Sequence, residues 1–256
     1  MEKLSKNKLK YLRKFLKKKI RRQENKCLVE GEKMCLEALE NGFHIDMLIY
    51  EKGLGRKFRD VTVHKNVLNV FSCDNAAIRS LSEVETPQGI VGLVNFHTVE
   101  QEPGNNKDHK FYIALDNISD PGNTGTILRT ASWFGWDGIL CGLSCVEVTS
   151  GKVLRSSMGA AFHLNIWEDL DLAETLKKLK EDGFIIAGSV PEGGEKKITT
   201  TGKKTVLAVG NEASGLSQEI LDICDEVFTI EGYGKAESLN AAVSAAIIME
   251  RLTTGY

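Results

Sequence analysis

Proline is scarce in this chain, four residues in 256, and no apolar run approaches the roughly eighteen residues of a membrane span. A membrane partner is therefore not expected. The basic start Met1-Glu2-Lys3-Leu4-Ser5-Lys6 has no apolar core behind it, so a secretory signal is not expected either, and the reading places the chain in the cytoplasm. Six cysteines form no disulfide framework. Cys141 and Cys145 are the only close pair, with no second pair or nearby histidine to complete a zinc site. No metal is expected, and the thiols read as reduced and buried. No GxGxxG follows a strand candidate, which weighs against an ordinary dinucleotide site. Internal repeats are absent. What remains is the composition of a globular protein, 42% apolar and 27% charged.

The net charge of -2 is unevenly spread. Residues 1–26 hold twelve Lys and Arg against Glu2 and Glu24, a balance of +10, so the remaining residues sum to -12. Such segregation suits a polyanion. Leu9, Leu12, Leu16 and Ile20 recur at helical spacing, with Tyr11 and Phe15 interrupting the basic face. This predicts a helix docked by its apolar stripe, with Lys10, Arg13, Lys14, Lys17, Lys18, Arg21 and Arg22 available to phosphates. The plainer alternative is a solvated terminal helix.

Four segments are expected: a basic helical arm over 1–24, a small α/β domain over 25–96, a linker over 97–107, and a larger α/β domain over 108–256. The linker region is polar and turn-rich. In the larger domain, strand candidates Phe111–Leu115, Gly138–Cys141, Phe184–Gly188, Val206–Val209 and Val227–Ile230 alternate with helical patterns at about 124–134, 152–158, 170–181, 216–223 and 236–252. Apolar strands separated by helices imply a mostly parallel sheet with helices on both faces, whose ligands bind beyond the carboxyl ends of the strands.

Three polar loops fall at those ends. The first, Asp116-Asn117-Ile118-Ser119-Asp120-Pro121-Gly122-Asn123, turns into a helix bearing Arg129. A loop-borne Asn123 could approach the Arg129 guanidinium, a rigid fork suited to phosphate; a surface salt bridge is the alternative for Arg129. The second, Gly210-Asn211-Glu212-Ala213-Ser214-Gly215-Leu216-Ser217, has glycines that permit close backbone approach and lacks the GxxxxGK of an ATPase loop. Glu212 can accept from a ribose hydroxyl or an amine, or cap the helix. The third, Glu231 through Asn240, places Ser238 and Asn240 at the mouth of an apolar helix, where capping accounts for only one of them. Composition and spacing reach an α/β protein with a basic arm and one polar cleft, and do not name the ligand.

In this order the loops resemble the three motifs of the SpoU/TrmH family of RNA 2'-O-ribose methyltransferases, in the SPOUT class. The residues carrying the resemblance are Asp120-Pro121-Gly122-Asn123 through Gly125 with Arg129-Thr130-Ala131, then Gly210-Asn211-Glu212 with Gly215-Leu216-Ser217, then Glu237-Ser238-Leu239-Asn240. Residues 25–96 resemble the family's substrate-binding domain. The resemblance implies a C-terminal trefoil knot, homodimers through the C-terminal domain, structured RNA as substrate, ribosomal rather than transfer RNA, and S-adenosyl-L-methionine as cofactor. Gly210, Asn211, Gly215, Ile230, Ser238 and Leu239 would hold the cofactor. Arg129 would act on the ribose hydroxyl, as base or electrostatic stabiliser, with Asn123, Glu212, Ser238 and Asn240 orienting it or the cofactor.

The chain departs from the family at Gly151, where a proline is common, and at Glu231-Gly232, where a proline and a hydrophobic residue are common. A glutamate there would weaken cofactor affinity or point away. Two rival readings follow: a catalytically inactive RNA-binding protein of the same fold, and a small-molecule nucleotide enzyme, which leaves the basic arm unemployed.

Overall fold

A computed structural model describes residues 2–96, 99, 101–197 and 202–254. His97, Thr98 and Glu100 of the expected linker lie outside the described residues. The chain divides into two compact units, one taking in Met1–His97 and Thr149–His163, the other Thr98–Val148 and Leu164–Tyr256.

The first unit begins with β1 (Glu2–Lys3), α1 (Lys6–Arg13) and, after a 3-10 turn, α2 (Lys18–Glu24). It continues through β2 (Lys26–Glu30), α3 (Glu32–Glu40), β3 (Ile45–Glu51), α4 (Arg59–Thr62), β4 (Val70–Cys73), α5 (Asn75–Leu81) and β5 (Ile90–Asn95). The sheet order is β1-β4-β3-β5-β2, with β5 antiparallel to both of its neighbours. The basic arm is thus part of this unit: β1 pairs with β4, and Leu4, Leu12 and Phe15 are buried in its core beside Phe71 and Ile78. The single expected helix is broken, because Lys17 adopts an extended conformation between the 3-10 turn and α2.

The second unit contains β6 (Phe111–Asp116), α6 (Pro121–Trp133) and β7 (Gly138–Gly142), after which α7 (Gly151–Ser156) departs into the first unit. It resumes with β8 (Asn165–Leu170), α8 (Leu172–Glu181), β9 (Ile185–Ser189), β10 (Thr205–Gly210), α9 (Gln218–Leu221), β11 (Glu226–Phe228) and α10 (Ala241–Thr254). All six strands are parallel, in the order β11-β9-β10-β6-β7-β8. The central strands are apolar and buried along their length, as expected of strands covered on both faces. The expected parallel α/β sheet is therefore present.

Within the first unit, α7 and the turn after it are held by Arg155–Glu83 (3.2 Å) and His163–Glu37 (2.9 Å). Phe162 packs edge-on against Phe43 and near Phe96. Gly151 has a steric role here. A Cβ at this position would lie 2.6 Å from Glu83 Oε2 and 2.9 Å from Arg155 Nη1, so a bulkier residue would press into that ion pair.

Candidate active site

β6 and β10 are neighbours, with Asp116 opposite Gly210, so the first two loops leave adjacent strand ends. Asp120 caps α6 by accepting from Asn123 N (2.8 Å), and Pro121 opens the helix, where its missing N–H costs nothing. Asn123 consequently lies in the first turn of α6. Its side chain donates to Glu212 Oε1, and its Oδ1 accepts from Asn240 Nδ2 (2.9 Å). The possible approach of Asn123 to Arg129 is not realised as a hydrogen bond among the described residues: both ends of the Asn123 amide are engaged with the second and third loops. Asn240 Oδ1 also accepts from Ala242 N (2.9 Å) and Val243 N (3.3 Å), so one residue caps α10 and joins the network. α10 starts at Ala241, five residues later than the pattern predicts, because this cap fixes its first turn.

The second loop is closed on itself. Asn211 N donates to Gly215 O (3.1 Å), Gly215 N donates to Asn211 O (2.8 Å), and Asn211 Oδ1 accepts from Ala213 N and Ser214 N. Gly215 adopts φ +69°, and a Cβ on Gly210 would lie 2.2 Å from the Gly215 carbonyl carbon. Only glycine at 210 allows the loop to fold back this closely.

Two residues unremarked by spacing tie this loop to the sheet. The buried Asp116 accepts from Ser217 N through Oδ2 (2.7 Å) and from Asn117 Nδ2 through Oδ1 (2.8 Å). Asn117 takes φ +59°, and its carbonyl accepts from Asn211 Nδ2 (3.0 Å). The signal available was a carboxylate at the end of an apolar strand, which must find donors when buried.

The third loop differs. Residues 231–240 are exposed throughout. Among the described residues, Gly232 and residues 234–239 make no hydrogen bonds, so their peptide groups are available to a ligand. Ile230 is half-buried, Ser238 is exposed, and Leu239 presents apolar surface. Glu231 forms an ion pair with Lys196 (2.5 Å) and accepts from Tyr233 Oη (3.0 Å). The hydrogen bond and charge of Lys196, with the Tyr233 bond, hold its carboxyl below the usual range. The departure at Glu231 thus carries a neutralised carboxylate.

Arg129, on the third turn of α6, is exposed, and among the described residues its side chain has no ion-pair or hydrogen-bond partner. The surface salt bridge is therefore not formed. In the first unit, Lys10, Arg13, Lys14, Lys17, Lys18 and Arg22 are not buried, but Arg21 is: its Nη1 donates to Phe15 O (2.9 Å), and it belongs to the interior of the turn. All six cysteines are free and five are buried, with burial pushing Cys35 up to about 12. No metal-binding cluster occurs among the described residues.

The SpoU rRNA Methylase family model matches residues 110–250, and the MRM3-like substrate binding domain matches residues 6–92. The 23S rRNA (guanosine(2553)-2'-O)-methyltransferase RlmP of Bacillus subtilis (strain 168) is 30% identical over 254 residues, covering 98% of both chains. A putative RNA methyltransferase of the TrmH family from Porphyromonas gingivalis superposes with a TM-score of 0.87 at 28% identity, covering 99% of each chain. The AdoMet-bound rRNA methyltransferase of Sinorhizobium meliloti does so with a TM-score of 0.84 at 26% identity, covering 98% of this chain and 96% of that one. The joined loops, the family match over more than half of the residues and the end-to-end relative agree: this chain belongs to the SpoU rRNA methylase family.

Proposed function

We propose that the protein transfers a methyl group from S-adenosyl-L-methionine to a ribose 2'-hydroxyl of ribosomal RNA, with large-subunit RNA as the substrate class. The observation that carries this reading is the Asn123–Glu212–Asn240 network, which gathers one residue from each of the three loops. The cofactor supplies an already activated methyl on a sulfonium. Gly210, Asn211 and Gly215 of the closed loop, with Ile230, Ser238 and Leu239 of the exposed loop, are the residues that would hold it. The cradle at Gly210 and the unbonded peptide groups of the third loop suit a ligand recognised by backbone.

A ribose hydroxyl is a poor nucleophile, so the chain must align it and stabilise the charge that develops as its proton leaves. A guanidinium holds its protons too tightly for an arginine such as Arg129 to serve as an ordinary base. In this reading it stabilises alkoxide charge, and a substrate phosphate or solvent takes the proton. Asn123, Glu212 and Asn240 are positioning residues that fix the loops around it.

The reading extends to three further features. The chain leaves β11 at the sheet edge, three strand spacings or about 14 Å from β6, yet Asn240 returns to Asn123 and α10 packs on α6 and β10. That return path supports a C-terminal trefoil knot. Exposed Trp133 and Val243 on the packed pair α6 and α10 support a homodimer through this domain. No described helix is long and apolar enough to cross a membrane, and an RNA substrate favours the cytoplasm.

Single-turnover methyl transfer at saturating RNA and cofactor tests the reading. Arg129→Ala is expected to cost about 3 kcal/mol, on the order of a hundredfold in rate, with cofactor affinity kept. Arg129→Lys keeps the charge and loses the planar fork, so partial rescue indicates a field effect and no rescue indicates bidentate alignment. A near-full rate in Arg129→Ala would refute the assignment.

A further inference from the structure

The first unit carries a second group of cations outside the N-terminal helices. Lys52, Arg56, Lys57 and Arg59 lie within eight residues that contain no acidic side chain, and all four are exposed. Among the described residues none of them has an ion-pair partner, whereas Lys8, Lys26 and Arg155 of the same unit each sit with a carboxylate. The flanking carboxylates are Glu51, which accepts from Asn75 Nδ2 (3.0 Å), and Asp60 at the start of α4.

The segment is built rather than loose. Lys52 N donates to Cys73 O (2.8 Å), Leu54 N to Glu51 O (3.0 Å) and Lys57 N to Leu54 O (2.9 Å). Phe58 is buried and anchors it from below. Gly53 takes φ +98°, and Gly55 sits so close to the Tyr50 ring that a Cβ would come within 3.0 Å of it. Four like charges held on a fixed turn repel one another, and neutralisation by a polyanion relieves that repulsion. β1, β4 and β3 run parallel, so Lys6, which follows β1, emerges at the same edge two strand spacings or about 10 Å away.

We propose that the carboxyl edge of this sheet, centred on Lys52, Arg56, Lys57 and Arg59, contacts phosphates of the RNA substrate, independently of the N-terminal helices. The assignment rests on the RNA-methyltransferase reading. Arg56→Ser/Lys57→Ser and a control, Lys177→Ser/Lys203→Ser, remove equal charge from exposed positions in different units. Binding of a 23S rRNA transcript by full-length protein is measured across a salt series, with S-adenosylmethionine affinity measured alongside. The edge variant should lower the slope of log affinity against log salt by about 1.4 to 1.8, two contacts at roughly 0.7 to 0.9 each. The control should leave that slope unchanged, and both should bind cofactor like the parent. An unchanged slope in the edge variant, or an equal fall in the control, would overturn the surface while leaving the enzyme assignment standing. A parent that binds cofactor but no RNA would overturn both.

Discussion

The second and third loops are joined through Asn123, yet they are made differently. The second is closed by paired backbone bonds between Asn211 and Gly215 and tied to β6 through Asp116 and Asn117. The third runs exposed for ten residues, and among the described residues its bonds are confined to the side chains of Glu231, Tyr233 and Asn240 and to the Asn240 carbonyl, which accepts from Ser244 N. One half of the proposed cofactor site is thus preformed by the protein, and the other half holds peptide groups that make no hydrogen bonds among the described residues. Residues that define the first half should be intolerant of small changes, while those of the second should respond to binding.

Gly210→Ala breaks this contrast most severely. The new Cβ meets backbone atoms of Gly215 and Leu216 at 2.2 to 2.3 Å, with no flexible side chain to give way. Overpacking of about 1 to 3 kcal/mol translates into a loss of cofactor affinity on the order of a hundredfold, read by calorimetry. Gly232→Ala meets nothing within 4 Å, and its affinity should stay near the parent's.

Asp116→Ala is expected to act next in size. It strands the Ser217 N–H and releases Asn117, at a cost of about 1 to 3 kcal/mol. The loss should appear in cofactor affinity and KM for the cofactor more than in the single-turnover rate at saturation. A fall in that saturated rate with unchanged affinity would contradict a positioning role.

Hydrogen exchange sharpens the comparison without mutation. Amides of 232 and 234–239 should exchange quickly in the free protein and become protected on adding S-adenosylmethionine. The Asn211 and Gly215 amides should already be slow. Equal behaviour of the two loops would remove the distinction.

The smallest effect is expected at Glu231. Its carboxyl is held below the usual range by Lys196, so the ion pair persists above that range and is lost as pH falls through the depressed value. Because the pair is exposed, Glu231→Gln should leave the melting temperature at pH 7 nearly unchanged. A marked drop would show that the pair anchors the third loop.

The buried strands of the second unit were legible because continuous apolar runs between turn residues leave few alternatives. β8 was not, since it is an edge strand whose Glu168 and Asp169 interrupt the apolar pattern. No proline or glycine announces the break at Lys17 in the arm, and periodicity cannot separate the buried Arg21 from its exposed neighbours. α7 sits between two strands of the larger sheet in sequence but packs in the other unit, a tertiary preference that local pattern does not carry. The contacts of Asn123 with Glu212 and Asn240 span 89 and 117 residues. Spacing rules stop at one helix or hairpin, so the polar loops singled these residues out one at a time and only the family resemblance placed them in one site.

The central claim is tested most directly by mapping ribose 2'-O-methylation across ribosomal RNA from cells with and without this gene, then restoring the mark in vitro. The account predicts that one or a few ribose positions lose methylation in the deletion strain. Purified protein with S-adenosylmethionine should restore the same positions, and the Arg129→Ala variant should not do so within the same time. An unchanged ribosomal RNA map, together with no transfer by the purified protein to any RNA from the deletion strain, would contradict it.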